Sequence, residues 1–457
     1  MPGRAELARS FAFVSLHTLA QLRSGHLTGA TRLDLSAGLT EFPREIFDLA
    51  DSLEVLNLSG NALTSLPDDL PRLRQLRVLF CSDNQFASVP EVLGQCPQLR
   101  MIGFKANQLR TLPAAALPPR LRWLILTDNQ LASLPPEIGT CAHLEKLMLA
   151  GNQLTSLPAT LANCHNLALL RIAANQLTEL PAWLLALPRL SWLAYAGNPF
   201  GAAAEAAVVA RHPIAAIEWG QLRIEQQLGE GASGVIYRAG WHRSAAVPTE
   251  VAVKLFKGAV TSDGLPHSEM AACISAGQHP NLIAVKGKIT GHPAGAEGLV
   301  LELIDPVFGN LAGPPSLASC TRDVYAAGTA FGLPAALRLA RGIAAAAAHL
   351  HAQGIMHGDL YGHNILYTKA GDSLLGDFGA ACFFDPADAA TAQALQRLEV
   401  RAFGCLLEEL LAHCPEMVAV PAVQQKWQEL LRRCTQPEVA ARPLFAEVAQ
   451  RLAALLD

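Results

Sequence analysis

The sequence predicts an α/β chain in two parts: a solenoid of short parallel strands, then a larger α+β domain. Three observations predict it. A block recurs every 23 residues, with one step of 22, from Leu33 to Leu193. A glycine-rich segment, Gly229-Glu230-Gly231-Ala232-Ser233-Gly234, lies between two strand-like stretches. A long Ala-rich helical pattern, Leu333 to Gln353, runs into His357-Gly358-Asp359-Leu360-Tyr361-Gly362-His363-Asn364-Ile365-Leu366 and then Gly376-Asp377-Phe378-Gly379.

The repeated block reads LNLSGNALTSLP from Leu56, LFCSDNQFASVP from Leu79 and IGFKANQLRTLP from Ile102. It continues as LILTDNQLASLP from Leu124, LMLAGNQLTSLP from Leu147 and LRIAANQLTELP from Leu170. Degenerate copies begin at Leu33 and Leu193. Each copy is one short strand plus a return segment and cannot bury its apolar edge alone, so stacking is required. Asn61, Asn84, Asn107, Asn129, Asn152, Asn175 and Asn198 recur because an amide satisfies backbone groups where the chain leaves the strand. Gly38 replaces the asparagine in the first copy, as a terminal cap would. The pattern resembles the leucine-rich repeat family over about residues 30–200. Strand alternation puts Val55, Val78, Phe80, Met101, Trp123, Ile125, Met148, Leu169 and Trp192 on the concave face. So apolar a stripe points to a protein or peptide partner, or to packing on the chain's own second domain.

Composition narrows the function classes. Hydrophobic residues make up 51% and charged residues 16%, which marks a packed chain rather than a disordered one. A net charge of −4 gives no basic excess to hold nucleic acid or an anionic membrane. No apolar run is long enough to span a bilayer, and the first residues, broken by Arg4, Glu6, Arg9 and His17, lack a secretory signal's apolar core. Ten cysteines without CxxC pairs fit reduced thiols and a cytoplasmic location. Cys96, Cys141 and Cys164 fall at matching repeat positions and read as small buried hydrophobes.

The second part carries the chemistry. Strands on both sides of the glycine segment, rather than a following helix, argue for a hairpin over phosphates, where backbone must approach without a Cβ. Val251-Ala252-Val253-Lys254 is a strand ending in a lone lysine, and Glu269 follows in a helical stretch. With HxDxxxxN and DFG downstream, this succession resembles the protein kinase family over about residues 219–457. Glu399 to Glu408 and Cys434 to Phe445 resemble that family's later helix and closing segment.

The resemblance implies a bilobal α+β domain that uses ATP and Mg²⁺. Lys254 would hold the α- and β-phosphates, and Glu269 would hold Lys254. Gly229, Gly231 and Gly234 would cover the phosphates. Leu228, Ile236, Ala252 and Leu366 would sandwich the base, and backbone groups of Glu302 and Ile304 would meet it at the hinge. Asp359 would orient and deprotonate the acceptor hydroxyl, while Asn364 and Asp377 would hold the metal. His357 and Phe378 would pack and align the site.

Two residues depart from the family. Gly358 stands where most kinases carry Arg, so activity would not depend on a phosphorylated activation loop. Tyr361 stands where Ser/Thr kinases carry a Lys that touches the γ-phosphate. Between Gly379 and Glu399 the segment is short and has no APE. HGDLYGHNIL also resembles the loop of aminoglycoside-type kinases, so the expected activity is a Ser/Thr-type protein kinase, with a small-molecule phosphotransferase or a pseudokinase scaffold as alternatives. The expected division is residues 1–200 for the repeats with their N-terminal cap, 201–218 for a connecting helix, and 219–457 for the catalytic domain.

Overall fold

A computed structural model describes residues 17–231, 233–243, 248–257, 260–261 and 263–455. Arg4, Glu6 and Arg9, the first part of the expected N-terminal cap, and Ala232 of the glycine segment lie outside the described residues. The chain divides into two compact units, one reaching to Cys164 and one starting at His165.

The first unit opens with helix α1 (Leu19–Arg23), capped by Thr18, whose hydroxyl accepts from the Gln21 amide. Six three-residue strands follow: β1 (Arg32–Asp34), β2 (Val55–Asn57), β3 (Val78–Phe80), β4 (Met101–Gly103), β5 (Trp123–Ile125) and β6 (Lys146–Met148). They pair in parallel, with Leu33, Leu56, Leu79, Ile102, Leu124 and Leu147 in register. All six are buried, and each contributes about 1.5–3 kcal/mol of apolar burial. The asparagines form the expected ladder. The Asn84 amide donates to the Leu58 and Cys81 carbonyls at 3.0 and 3.1 Å and accepts from the Leu63 amide at 2.9 Å. At the cap the Asn61 oxygen accepts from the Ala37 and Leu39 amides, and Gly38 has no side-chain amide to add. Cys96 and Cys141 are buried in the stack, as is Cys164 at its end.

On the stripe, the Phe80 ring lies over Gly103, where an added Cβ would meet it at 2.5 Å. Lys146 sits over the Trp123 ring, 4.2 Å from its centroid. Trp123 Nε1 has no hydrogen-bond partner among the described residues. Val55 and Ile125 are half-buried, while Val78, Met101 and Met148 are buried.

The second unit begins with the last two repeats. Strands β7 (Leu169–Arg171) and β8 (Trp192–Ala194) pair in parallel, and α2 (Ala202–Arg211) follows, as the sequence between Gly201 and Pro213 predicts. Next come β9 (Ala216–Glu218), β10 (Leu222–Glu230), β11 (Gly234–Trp241), β12 (Thr249–Phe256), α3 (Pro266–Ser275), β13 (Val285–Thr290) and β14 (Gly298–Glu302). These strands form one sheet in the order β10-β11-β12-β14-β13-β9. Its core is Ile217, Leu222, Ala239, Trp241, Val251, Val253, Ile289 and Val300.

Then β15 (Gly309–Asn310) leads to the long helix α4 (Leu333–Ala352), β16 (Ile355–Met356), β17 (Ile365–Tyr367), β18 (Ser373–Leu375) and β19 (Cys382–Phe383). The unit closes with α5 (Ala389–Ala412), α6 (Pro421–Cys434) and α7 (Phe445–Ala453). Strands β15, β17 and β18 make a small sheet, and β16 pairs with β19. No described helix is long and apolar enough to cross a membrane.

Leu169 and Trp192 differ from an open stripe: both are 2% exposed. For Trp192 the reason is a ring and a carbonyl of the catalytic loop. Its ring stacks on Tyr361 at 4.2 Å and 6°, and its Nε1 donates to the Leu360 carbonyl at 3.0 Å. Of the two occupants the sequence left open, Trp192 has the chain's own second domain.

Candidate active site

The glycine segment is a hairpin. Gly229 and Glu230 pair with Ile236 and Val235, and the Gly231 amide donates to the Gly234 carbonyl at 2.9 Å. Gly234 must lack a side chain, since a Cβ there would sit 2.4 Å from the Leu255 carbonyl. Beneath the hairpin is a cavity of about 190 Å³ lined by Gly231, Ser233, Gly234, Ile236, Lys254, Thr261, Asp263, Asp377 and Gly379. Strand β12 brings Lys254 into it, and α3 delivers Glu269, whose carboxylate bonds the Lys254 ammonium. Burial alone would lower the lysine's pKa; the charges of Glu269 and Asp377 more than restore it, so the group stays cationic.

Of the other nucleotide-side residues only Ile236 lines this cavity; Leu228, Ala252, Glu302, Ile304 and Leu366 do not. Leu228 is 47% exposed, Ala252 is buried in the sheet, and Ile236 is half-buried opposite Lys254. Glu302 ends β14, with its carboxylate 2.9 Å from Lys286, and Ile304 lies two residues on. Leu366 belongs to the smaller sheet, paired with Asn310 and Leu374.

The catalytic loop lies between β16 and β17. Asn364 donates from its amide to the Asp359 carboxylate at 2.7 Å and to the Asp359 carbonyl at 2.9 Å. His357 shares a 2.8 Å hydrogen bond with the Gly376 carbonyl, and its ring packs on Phe378 at 5.1 Å, which ties this loop to the segment carrying Asp377. Asp377 has φ +53°, a conformation that costs a non-glycine residue energy and clusters at functional sites. Burial pushes the Asp359 carboxyl up, and the Arg171 charge pulls against it.

Several residues that matter here were not singled out from sequence as site residues. Glu399 of α5 accepts from the Gly358 and His357 amides at 2.7 and 3.2 Å and lies 2.6 Å from His351 Nε2. One buried carboxylate thus holds the loop's backbone. Its acidity rises despite burial because of the His351 hydrogen bond and charge. Asp323 orients His363 through Nδ1 at 2.7 Å.

Arg171 of β7 is 1% exposed. Its Nε donates to Asp263 at 2.8 Å, Nη1 to the Gly358 carbonyl at 3.0 Å, and Nη2 to Asp359 Oδ1. The sequence carries part of this signal: the other copies have Asp34, Asn57, Phe80, Gly103, Ile125, Met148 and Ala194 at this strand position, so Arg171 is the one cation there. Arg442 has no carboxylate partner among the described residues. It donates instead to the Gln436, Arg397 and Pro188 carbonyls at 2.8, 3.2 and 2.8 Å. Burial without a counter-ion pulls its pKa down to about 9.

The donor set fits a hard cation. Asn364 spends its amide nitrogen on Asp359, which leaves the amide oxygen as the donor, and Asp377 adds a carboxylate. Among the described residues no three or more His, Cys, Asp or Glu side chains form a cluster that could hold a metal unaided. Mg²⁺ needs no such cage, since it keeps waters and takes phosphate oxygens beside one or two protein ligands.

Comparison with known proteins gives the same two parts. Residues 222–413 match the protein tyrosine and serine/threonine kinase profile, and residues 51–109 and 119–177 match the leucine-rich repeat. CBL-interacting protein kinase 22 of Oryza sativa subsp. japonica is 31% identical over 36% of this chain and 37% of its own length. Serine/threonine-protein kinase mos of Gallus gallus is 30% identical over 36% and 48%. Cyclin-dependent kinase 10 of Homo sapiens is 26% identical over 44% and 57%. The chain therefore spans less than two thirds of each of these relatives. Among solved structures, a leucine-rich repeat protein of Leptospira interrogans is 27% identical, with a TM-score of 0.35, over 39% of this chain and 51% of that one. The chain consists of leucine-rich repeats followed by a protein kinase domain.

Proposed function

We propose that the chain is an ATP- and Mg²⁺-dependent protein kinase of the serine/threonine type. One observation carries the reading. The Lys254–Glu269 ion pair and the Asp359–Asn364 hydrogen bond occur together, and Asp377 acts electrostatically on both Lys254 and Asp359. A formed lysine–glutamate pair is what positions the phosphates in this family. Lys254 binds the α- and β-phosphates, and the hairpin's backbone covers them. Asn364 and Asp377 would hold Mg²⁺, which neutralises phosphate charge when bound. Asp359 accepts the acceptor hydroxyl's proton as its oxygen bonds the γ-phosphorus and the bond to the β-phosphate oxygen breaks.

The repeats serve as an interaction module, and the half-buried Trp123 ring is a suitable anchor on their stripe. Ten free cysteines, nine of them buried, favour a reducing compartment, which supports a cytoplasmic location.

The test is transfer of label from γ-labelled ATP to casein. Asp359→Asn should lower the rate by roughly 10²–10⁴-fold while ATP binding persists. Wild-type transfer in that variant overturns the reading.

A further inference from the structure

The catalytic loop lacks two cations of its family's pattern, and both substituted positions face the last two repeats. Gly358 has φ +74°, and a Cβ there would lie 2.7 Å from the Leu193 carbonyl of β8 and 2.4 Å from the Ala380 carbonyl. No arginine side chain can leave that position while β8 is in place. Tyr361 stacks flat on Trp192 of β8, so its side chain points at the repeat. The place beside Asp359 is taken instead by the Arg171 guanidinium, delivered by β7 and anchored to Asp263 and to the Gly358 carbonyl. These repeats and the loop belong to one compact unit.

We propose that Arg171 is a positioning residue for phosphoryl transfer: the seventh repeat supplies the cation that the catalytic loop itself does not carry. This rests on the kinase reading above. A guanidinium suits the task because its planar fork fixes direction as well as charge. The carboxylate is fixed from both ends, Oδ1 by Arg171 and Oδ2 by Asn364. Two oxygens offer about four acceptor sites, so two bonds leave room for an incoming hydroxyl. Near-complete burial of Arg171 and Trp192, and their contacts with two substituted loop residues, mark a permanent arrangement rather than a detachable plug.

The test uses the full chain with γ-labelled ATP and casein. Arg171→Met should lower kcat by about 10²-fold, with KM for ATP little changed. Arg171→Lys, which keeps a cation, should recover a substantial part of the loss. Melting midpoints of both variants separate catalysis from folding, because a structural role would lower both midpoints and leave the KM-against-kcat split uninformative of charge. A wild-type or raised kcat in Arg171→Met overturns the proposal, the raised value marking an inhibitory contact instead. Equal losses in the Met and Lys variants that track a fall in melting midpoint overturn it too. Asp359→Asn is assayed alongside: an Asp359→Asn chain that still transfers sinks the kinase reading, whereas an active wild type with an indifferent Arg171→Met sinks this inference alone.

Discussion

The repeats and the catalytic cleft use the same unusual backbone conformation for opposite purposes. Gly60, Asp83, Ala106, Asp128, Gly151, Ala174 and Gly197 each precede a ladder asparagine, and each has φ between 52° and 73°. Asp377 of the cleft has φ 53°. In the repeats this turn swings the next residue's amide inward, and the turning side chain does no work. Glycine, alanine and aspartate are therefore all accepted there. In the cleft the turning residue's own carboxylate is placed: it lines the cavity beneath the hairpin and accepts from the Gly379 amide at 3.1 Å, and in the proposed function it is a metal ligand. A left-handed non-glycine residue costs about 1–2 kcal/mol in either place. Repetition makes the residue interchangeable; a single functional site does not.

The largest test of that contrast is Asp377→Gly. Glycine relieves the backbone, so the melting midpoint should hold or rise, while transfer should fall by at least roughly 10²-fold through loss of the carboxylate. A drop in both would mean that the carboxylate holds the fold together, and the contrast would break. Gly358→Ala comes next. Here the left-handed glycine is not interchangeable either, because two backbone oxygens crowd the missing Cβ. Left-handed strain and overpacking together should cost about 2–4 kcal/mol, read as a lower urea midpoint. Tolerance of alanine would show that β8 yields to the loop, and would weaken the link between the repeats and the two substituted loop positions.

What could be read from sequence follows the same division. The solenoid was legible because its signal is periodic: Leu33 to Leu193 and the asparagines repeat a local rule that each copy satisfies with its neighbours. Lys254, Glu269, Asp359, Asn364 and Asp377 were legible as a set because order and spacing along the chain stand in for their meeting in space. The partners of Arg171, Asp263 and Glu399 were not, since they are long-range contacts that spacing does not encode: Arg171 and Asp359 are 188 residues apart. Trp192 was placed on the correct face of its strand, but its occupant, the Tyr361 ring, comes from a loop 169 residues later. A strand's alternation tells which way a side chain points and says nothing of what arrives there.

The smallest expected effect is the sharpest on the structural side. Ala106 turns at φ 52° before Asn107, whose amide donates to the Cys81 and Phe104 carbonyls at 3.0 and 3.2 Å and accepts from Phe86 at 3.0 Å. Ala106→Gly removes about 1–2 kcal/mol of left-handed strain and returns about 0.4–1 kcal/mol to the unfolded chain as entropy. The net gain should be on the order of 0.5–1 kcal/mol, seen as a small rise in the denaturation midpoint, with kcat unchanged. Ala174→Gly, the same turn two strand positions beyond Ile172 in the repeat that carries Arg171, should give a similar gain if β7 is held as the other copies are. A loss of activity in Ala174→Gly, but not in Ala106→Gly, would mean that the seventh repeat needs its stiffness to keep the guanidinium on Asp359, so that in this copy even the interchangeable residue has become part of the site.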